Sequence, residues 1–271
     1  MKTNPALEIL ISTMNRKDLS FLEAMFPVLD LEQYQLLIIN QTKLDKELVS
    51  HDKRIRVINS KEFGLSKSRN LAIENSIGDI LVIADDDIEY LPGFEQIILK
   101  AYETYPEASL ISFQFLDEHK KFTKFYPKNG GYIKSTKQFL TSFEMTFKSE
   151  VFRKYKICFD ERFGIGATFP CSEEQVLRHQ ILKKGLGVAY VAEPICIHNG
   201  LTSGLKLSAA SILEATTAYK FIQYNNLVYL WLVKYVFFLF RHTHISFFGQ
   251  IRAYQMGVKA ISKLKRLRNE D

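Results

Sequence analysis

The chain has 271 residues, which is long enough to bury one sizeable α/β domain. Its composition, 46% hydrophobic and 24% charged, is that of an ordinary globular protein. Of the net charge of +6, the stretch from Arg241 to Asp271 contributes +5, from seven Lys/Arg and two Asp/Glu, so residues 1–240 carry only +1. A nucleic-acid-binding protein would not concentrate its charge in this way, and we expect no nucleic-acid partner.

Apolar runs and helical patterns alternate along the first three quarters of the chain. This order is typical of a three-layer α/β/α fold with a mostly parallel sheet. The polar and basic segment 117–135 is predicted to be either a loop over a functional site or an ordinary hairpin. The predicted strands are 7–11, 34–39, 55–58, 80–84, 109–115 and 188–192, and the predicted helices are 17–26, 66–77, 92–104 and 172–184.

Three consecutive carboxylates, Asp85, Asp86 and Asp87, follow the aliphatic run 80–84, which predicts a buried parallel strand because it lacks alternation. Adjacent carboxylates repel one another, so their position at a strand end indicates a compensating cation such as a divalent metal. The carboxyl ends of strands form the ligand crevice of open α/β sheets. The simplest ligand for such a metal is a diphosphate, which indicates nucleotide chemistry. The alternative is a turn or a helix cap without a ligand.

The segment Gly64–Asn70 lies just before this strand and predicts the start of a helix, with Ser66 as the N-cap. Lys67 and Arg69 would then lie in the first turn, where a cation is unfavourable beside the helix dipole unless an anion is close. A phosphate group or the three aspartates would supply that anion. The alternative is a solvated surface helix.

A pair of acids, Glu173 and Glu174, opens the helix predicted at 172–184. With Ser172 as the N-cap and Gln175 three positions later, the sequence matches a capping box, and acids there also suit the helix dipole. That interpretation accounts for these residues without catalysis. A catalytic carboxylate is the competing interpretation.

Taken together, these segments resemble the family 2 glycosyltransferases, which have the GT-A fold. The resemblance extends from about Leu7 to His198, and Gly64–Asn70 matches the family signature G-x-S-x-A-R-N with Ser68 in the Ala position. The three aspartates occupy the DXD position. The resemblance implies a GT-A domain over residues 1–204 that moves a sugar from a nucleotide diphosphate sugar to a hydroxyl group, with inversion. The other segments that carry it are 7–16, 36–40, 159–164 and 172–174.

The resemblance also implies which residues bind the nucleotide. Ser12 and Met14 are expected to line the base pocket, and Asn40 is expected to bond the base edge. Arg69 is expected to reach the aspartates or the phosphates, and Asp86 the ribose. The resemblance favours UDP. GDP and dTDP are alternatives, because Asn40 replaces the usual Asp and can donate as well as accept, and because Met14 replaces the aromatic residue often found there.

A divalent metal, Mn²⁺ or Mg²⁺, is expected at Asp87, which both the family pattern and strand alternation select, while strand alternation adds Asp85. His198 resembles a histidine that supplies a further ligand in some relatives, and a structural role is its alternative. The family places its catalytic base at the second acid of the pair, which here is Glu174 in place of the usual Asp. Glu173 is the alternative base.

Two other functions compete with sugar transfer. A sugar nucleotidylyltransferase usually opens with a G-x-G-x-R loop, whereas residues 12–16, Ser-Thr-Met-Asn-Arg, contain no glycine. A catalytically inactive binding module of the same fold is the second alternative, and the retained acids argue against it.

The cysteines and the N-terminus bear on location. Cys158, Cys171 and Cys196 have no metal-type spacing, and their odd number argues against a disulfide framework. The N-terminus leads into a predicted strand without a signal-type apolar segment. We therefore expect a cytoplasmic protein.

Residues 205–271 are predicted to form a helical, basic C-terminal extension. Leu227–Phe240 is apolar apart from Lys234 and two tyrosine hydroxyls, but its 14 residues are too few to span a bilayer, which needs about 20. An apolar helix followed by a basic tail suits a protein that lies on an anionic membrane surface. We expect peripheral attachment to the inner membrane face, with a glycan or lipid-linked glycan acceptor implied by the family. A homodimer interface is the alternative.

Overall fold

A computed structural model of the protein describes residues 5–28, 33–43, 47–133, 140–198 and 208–270. The predicted boundary between residues 204 and 205 lies outside these ranges and stays a prediction. Residues 134 and 135 of the segment 117–135 also lie outside them.

Nine strands form a single sheet within the described ranges. They are β1 (Leu7–Met14), β2 (Gln35–Gln41), β3 (Ile55–Ser60), β4 (Ile80–Asp85), β5 (Ile88–Tyr90), β6 (Ala108–Leu116), β7 (Gly131–Tyr132), β8 (Met145–Lys148) and β9 (Gly187–His198). The order is β3-β2-β1-β4-β8-β6-β9-β5, and β7 also pairs with β9. β1 to β4 are parallel, as are β6 and β9, whereas β8, β5 and β7 run antiparallel to their neighbours. The sheet is therefore mixed, and its first half is parallel.

Helices cover both faces of this sheet. Because successive strand residues face opposite sides, Ile9 and Ile11 enter the core beneath α1 and α3, whereas Leu10 enters the core beneath α2, α4 and α5. This arrangement confirms the predicted three-layer α/β/α architecture. The helices are α1 (Phe21–Met25), α2 (Leu65–Asn75), α3 (Phe94–Thr104), α4 (Ser149–Tyr155), α5 (Glu173–Lys183), α6 (Ala209–Tyr224), α7 (Val228–Arg241) and α8 (Gly249–Glu270).

Every predicted strand and helix of the sheet domain is present, with ends shifted by a few residues. The start of α2 differs in detail from the prediction. Its N-cap is Gly64, whose φ of 134° favours glycine, so the predicted cap at Ser66 is wrong. The hydroxyl of Ser66 instead donates to Phe163 O at 2.6 Å and ties α2 to the segment before α5.

A shared apolar cluster joins the C-terminal helices to the sheet domain. Phe163 and Phe169 are buried, with ring centroids 5.0 Å apart, and they pack with Val176 of α5 against α6 and α8. The contacting residues of those two helices are Ala215, Ala218, Tyr219, Phe221, Ala260, Ile261 and Leu264. Among the described helices, none has the length and apolar character needed to cross a membrane.

Candidate active site

The carboxyl ends of β1, β2 and β4 meet at one edge of the sheet, where most of the predicted site residues lie. Asp85, the last residue of β4, pairs with Ser12 near the end of β1, and Ser12 Oγ accepts a hydrogen bond of 2.9 Å from Ser68 of α2. Asp86 and Asp87 form the turn from β4 to β5. Because the strand ends at Asp85, alternation does not extend to Asp87, and the alternation argument that placed these two on one side is wrong.

Asp86 anchors the loop that follows β1. Its Oδ2 accepts hydrogen bonds from Thr13 Oγ1 and from Arg16 Nε at 2.8 Å, and the second guanidinium contact of Arg16 is 2.7 Å long. The carboxylate stays partly exposed. It is therefore fixed in position while part of its surface faces solvent.

Asn40 holds the same loop from its other side and is completely buried. Its Nδ2 donates to Arg16 O at 3.1 Å and to Asn59 Oδ1 at 2.9 Å, while its Oδ1 accepts from Arg16 N at 3.1 Å. Both amide hydrogens are used inside the protein, so a base edge could bond Asn40 only after one of these bonds is exchanged. Met14, by contrast, is 51% exposed at this edge.

Arg69 joins the end of β4 to the start of α5. Its buried guanidinium donates to Asp85 Oδ1 at 3.1 Å, to Glu173 Oε1 at 3.3 Å and to Ser142 Oγ at 2.6 Å. It also lies over the ring of Phe159, 5.5 Å from the ring centroid. The sequence predicted that Arg69 would need a nearby anion, because a cation is unfavourable near the start of a helix. The carboxylates of Asp85 and Glu173 balance its charge.

The acid pair opens α5, but the capping box expected there does not form. Ser172 is the N-cap residue with a φ of 80°, and among the described residues its hydroxyl caps no backbone N–H. Gln175 accepts from Arg178 at 2.6 Å and donates to a carbonyl outside the helix. The predicted capping box is therefore wrong, although Ser172 is the N-cap residue and both acids lie in the first turn of α5, where they suit the helix dipole. The Glu173 side chain also reaches Arg69.

Burial controls the ionisation of these acids. It raises the pKa of Glu174 to about 8, with the neighbouring Glu173 reinforcing the shift and Arg69 opposing it. Burial likewise raises the pKa of Glu173 and of Asp85, in each case against the attraction of Arg69. A carboxylate whose pKa lies close to the working pH is suited to accept a proton during a reaction.

A glycine segment allows the acid pair to approach α2. Gly164 has a φ of +103°, and an added Cβ would lie 2.8 Å from Ser66 Oγ and 3.3 Å from Glu173 Cδ. At Gly166, with a φ of +85°, an added Cβ would lie 3.3 Å from the Cα of Gly64. Both the backbone conformation and the close approach therefore require glycine.

Asp87 and His198 meet where β5 pairs with β9. His198 pairs with Ile88, and its Nε2 lies 3.4 Å from Asp87 Oδ2. The imidazole is buried and stacks on the ring of Phe143, with centroids 4.9 Å apart and planes 5° apart. Asp87 is largely exposed, so this pair combines a fixed nitrogen donor with an accessible carboxylate.

The donors at this edge are of the types that bind Mn²⁺ or Mg²⁺, namely carboxylate oxygen and imidazole nitrogen. Asp87 and His198 are adjacent, whereas Asp85 is bonded to Arg69. Within the described ranges, no three His, Cys, Asp or Glu side chains lie together as a formed metal site. The residues fit a divalent cation in their chemistry, with nucleotide phosphates as further oxygen ligands.

Residues 141–144, Thr-Ser-Phe-Glu, form a capped 3-10 turn that the sequence analysis missed. The turn supplies the side chains that contact Arg69 and His198. Its buried Glu144 accepts hydrogen bonds from Lys124 Nζ and Tyr126 OH, and thereby holds the segment 117–133 beside the site. The T-x-x-E pattern of a capping box was the signal that could have revealed it.

A family model, glycosyl transferase family 2, matches residues 9–166, which is more than half of the chain. The chain therefore belongs to glycosyl transferase family 2. It is a glycosyltransferase that uses a nucleotide sugar. No curated protein sequence matches the chain.

Solved structures of S. aureus TarS resemble this fold. TarS 1-349 in complex with UDP has a TM-score of 0.59 and 10% identity, over 97% of this chain and 83% of that chain. TarS 1-349 in complex with UDP-GlcNAc has a TM-score of 0.56 and 9% identity, with the same coverage. A longer TarS chain has a TM-score of 0.52 and 10% identity over 90% of this chain and 44% of that chain. The predicted GT-A fold with additional C-terminal helices is confirmed.

Proposed function

We propose that the protein is an inverting, metal-dependent glycosyltransferase that moves a sugar from a UDP-sugar to a hydroxyl of a glycan acceptor. The observation that carries this proposal is the position of Arg69, which bonds Asp85 at the strand end and Glu173 of the acid pair. Asp85, at the proposed site of the sugar donor, and Glu173, next to the proposed base Glu174, are thereby fixed relative to each other. A direct displacement requires such fixed positions of the reacting groups. The TarS structures with UDP and UDP-GlcNAc support UDP and an N-acetylhexosamine as the first donor to test.

The nucleotide pocket is proposed at the joint edge of β1, β2 and β4. The exposed Met14 would cover a face of the base, Ser12 would form the floor of the pocket, and Asp86 would accept a hydrogen bond from the ribose. Asn40, which is buried, would act by holding the backbone of Arg16 and hence the shape of this loop.

Asp87 and His198 are proposed to hold Mn²⁺ or Mg²⁺, with Asp85 beside them. When bound, the cation would neutralise charge on the leaving diphosphate. The protein would contribute by holding these metal-ligating side chains in position before the cation and the nucleotide sugar bind. The stacked ring of Phe143 sets the orientation of His198, and Arg69 sets that of Asp85.

Glu174 is proposed as the base that accepts the proton of the acceptor hydroxyl. Burial raises its pKa to about 8, so its carboxylate is a stronger proton acceptor than an ordinary glutamate. Glu173 is bonded to Arg69 and is proposed to orient the start of α5, with a role as base only if Glu174 fails the test below.

The segment 117–133 is proposed to contact the acceptor. It is held at the site through Lys124 and Tyr126, and it presents Phe122 and the 90% exposed Phe125 to solvent. Exposed aromatic rings offer an apolar surface to the CH faces of a sugar. The acceptor is proposed to be a glycan or a lipid-linked glycan at the inner membrane face, which the basic C-terminal tail supports.

Two alternatives remain to be tested. A sugar nucleotidylyltransferase is disfavoured by membership in family 2 and by the absence of glycine from residues 12–16. A catalytically inactive binding module is disfavoured by the retained acid pair, since no capping box forms at the start of α5 and Glu173 bonds Arg69 beside the strand end.

The test is a panel of nucleotide sugars with Mn²⁺, Mg²⁺ or EDTA, read out by thermal shift and then by nucleotide release. We expect UDP-sugars to raise the melting temperature in the presence of metal and to yield UDP. A preference for GDP-sugars or dTDP-sugars would contradict the proposal that uracil is the nucleobase of the donor. Failure of every nucleotide sugar to bind or turn over would contradict the enzyme itself. Release of pyrophosphate from a nucleoside triphosphate and a sugar phosphate would support the nucleotidylyltransferase.

A further inference from the structure

The helix α7 carries two apolar stripes with different surroundings. One stripe is buried, and its members Val228, Leu232 and Val236 recur every four residues. Where it meets α8, an added Cβ at Gly257 would lie within 2.7 Å of two Leu232 methyl carbons, so the two helices are in close contact. The other stripe is exposed and consists of Leu230, Val233 and Phe237.

An aromatic cluster continues the exposed stripe into the turn between α7 and α8. Ring centroids are 6.4 Å apart for Phe237 and Phe240, 5.9 Å for Phe240 and Phe247, and 5.6 Å for Phe247 and Phe248. Phe247 is 66% exposed and Phe248 83% exposed. A contiguous exposed apolar surface of this kind marks an interaction site. We call it the apolar tip, and it comprises Leu230, Val233, Phe237, Phe240, Phe247, Phe248 and Ile251.

The stretch of sequence that includes the apolar tip contains no Asp or Glu. From Ala215 to Asn269 the sequence has nine Lys/Arg and neither Asp nor Glu. Two of these cations, Lys234 and Arg241, lie between the first and last residues of the tip, Arg252 directly follows Ile251, and all three are exposed. The remaining six are Lys220, Lys259, Lys263, Lys265, Arg266 and Arg268.

An open groove of about 710 Å³ lies beside the tip, on the α6 side of α8. Its lining combines the apolar Phe248, Ile251 and Met256 with the cations Arg252 and Lys259, and Glu214 contributes a carboxylate. The groove therefore joins apolar surface to positive charge within one concave region.

We propose that the apolar tip and its cations form a membrane-binding surface that inserts aromatic rings into a bilayer containing anionic phospholipids. Apolar side chains at the acyl boundary with Lys/Arg beside lipid phosphates are the two components of interfacial binding. A second copy of this chain fits less well, because a symmetric interface would bring the cations Lys234, Arg241 and Arg252 of both copies together, where the groove supplies one carboxylate, Glu214, from each copy. The inference rests on the proposed membrane location and supplies its contact surface.

The test is cosedimentation of the full chain with vesicles of phosphatidylcholine and phosphatidylglycerol, in the absence of nucleotide. We expect the wild type to sediment at low ionic strength and to bind less as salt increases. Phe247→Ser/Phe248→Ser should weaken binding by about ten-fold or more. Arg241→Gln/Arg252→Gln should weaken it by about five-fold for each cation removed. The matched control is Tyr155→Ser, which removes an exposed ring at the end of α4 and should bind as the wild type does.

Three results would overturn the inference. The first is a wild type that stays in the supernatant at low salt, and the second is unchanged binding of the Phe247→Ser/Phe248→Ser variant. The third is a stable dimer in light scattering that this variant dissociates, since the tip would then be a subunit interface. Equal melting temperatures would show that each variant is folded. The cosedimentation assay contains no nucleotide, so a negative result would contradict only the membrane-binding surface. The proposed sugar transfer is tested separately by the panel of nucleotide sugars.

Discussion

Ser142 Oγ accepts a hydrogen bond of 2.6 Å from Arg69, although the two residues are 73 positions apart in the chain. The same guanidinium bonds Asp85 and Glu173, so one buried side chain links β4, α5 and the turn before β8. Bonds of this kind are strong because one or both partners are charged. Removing the cation would leave two carboxylates unpaired in a site with little access to water.

Arg69→Met should lower the free energy of unfolding by about 3 kcal/mol and abolish nucleotide-sugar turnover, because both acids lose their counter-ion. Urea unfolding followed by circular dichroism measures the first effect. The matched control is Lys67→Met, two residues away on the same helix, which breaks an exposed ion pair with Glu62. That change should leave the free energy of unfolding almost unchanged, because both partners of the pair are exposed to solvent. Similar losses in the two variants would contradict the central role of Arg69.

Glu174→Gln should keep UDP binding and reduce sugar transfer by about 1,000-fold, because the amide cannot accept the acceptor proton. Calorimetry with UDP and Mn²⁺ measures binding, and UDP release from UDP-GlcNAc measures turnover. Glu95→Gln, which makes the same change in the first turn of α3, controls for loss of a helix-dipole interaction. If both variants behave like the wild type, Glu174 is not the base, and Glu173→Gln becomes the next variant to test.

The rate of transfer should rise with pH until about pH 8, where Glu174 is half ionised. The carboxylate is the reactive form of the proposed base, so kcat/KM should fall about ten-fold for each pH unit below that point if Glu174 has this role. The profile is measured from nucleotide release at saturating metal. A rise centred near 4.5, the ordinary value for glutamate, would instead indicate an unperturbed acid.

The raised pKa of Glu174 also has a consequence for stability. Between about pH 4.5 and 8 the folded chain holds this proton more tightly than the unfolded chain, so the contribution of the group to stability falls as pH rises. Glu174→Gln should remove that part of the pH dependence. The check is a comparison of melting temperatures for the wild type and the variant at both ends of the range.

Asp87→Ala should abolish the metal dependence of UDP binding, because it removes the accessible carboxylate beside His198. Titration calorimetry with UDP in the presence of Mn²⁺ or EDTA measures the effect. Glu89→Gln, a charge change two residues along the chain in β5, is the matched control and should leave the metal dependence intact. Metal-enhanced binding that survives in Asp87→Ala would remove this residue from the proposed metal site.

The alternation of apolar runs and helices was sufficient to predict the layers of the sheet domain from sequence. β8 was missed because four residues, Met145–Lys148, are too short to display a period. Its place between β4 and β6 depends on contacts with distant strands, which no local pattern encodes. The capping box at Ser172 does not form because that residue has a left-handed backbone, with a φ of 80°, instead of the extended conformation that is usual for a capping side chain.

The candidate site was predictable wherever the residues stand close together in the sequence. The three aspartates and the acid pair could be found as clusters. The sequence led us to expect that Arg69 would reach the aspartates or the phosphates. It gave no indication that Arg69 would also bond Glu173 of the acid pair. The turn at 141–144 was not found, because its three contacts with Arg69, His198 and the segment 117–133 are all made between elements distant in the chain.

The packing of Phe163 and Phe169 has a consequence for how the enzyme would be oriented. These rings are buried by α6 and α8, while Gly164 between them lies against Glu173. α8, whose first turn carries Ile251 of the apolar tip, thus packs through Phe163 and Phe169 against the segment beside the acid pair. If the apolar tip holds the chain on a bilayer, the candidate active site would lie at a fixed distance from the membrane surface and at a fixed angle to it. The fold would then determine how far from the membrane a lipid-linked acceptor must extend to reach the site.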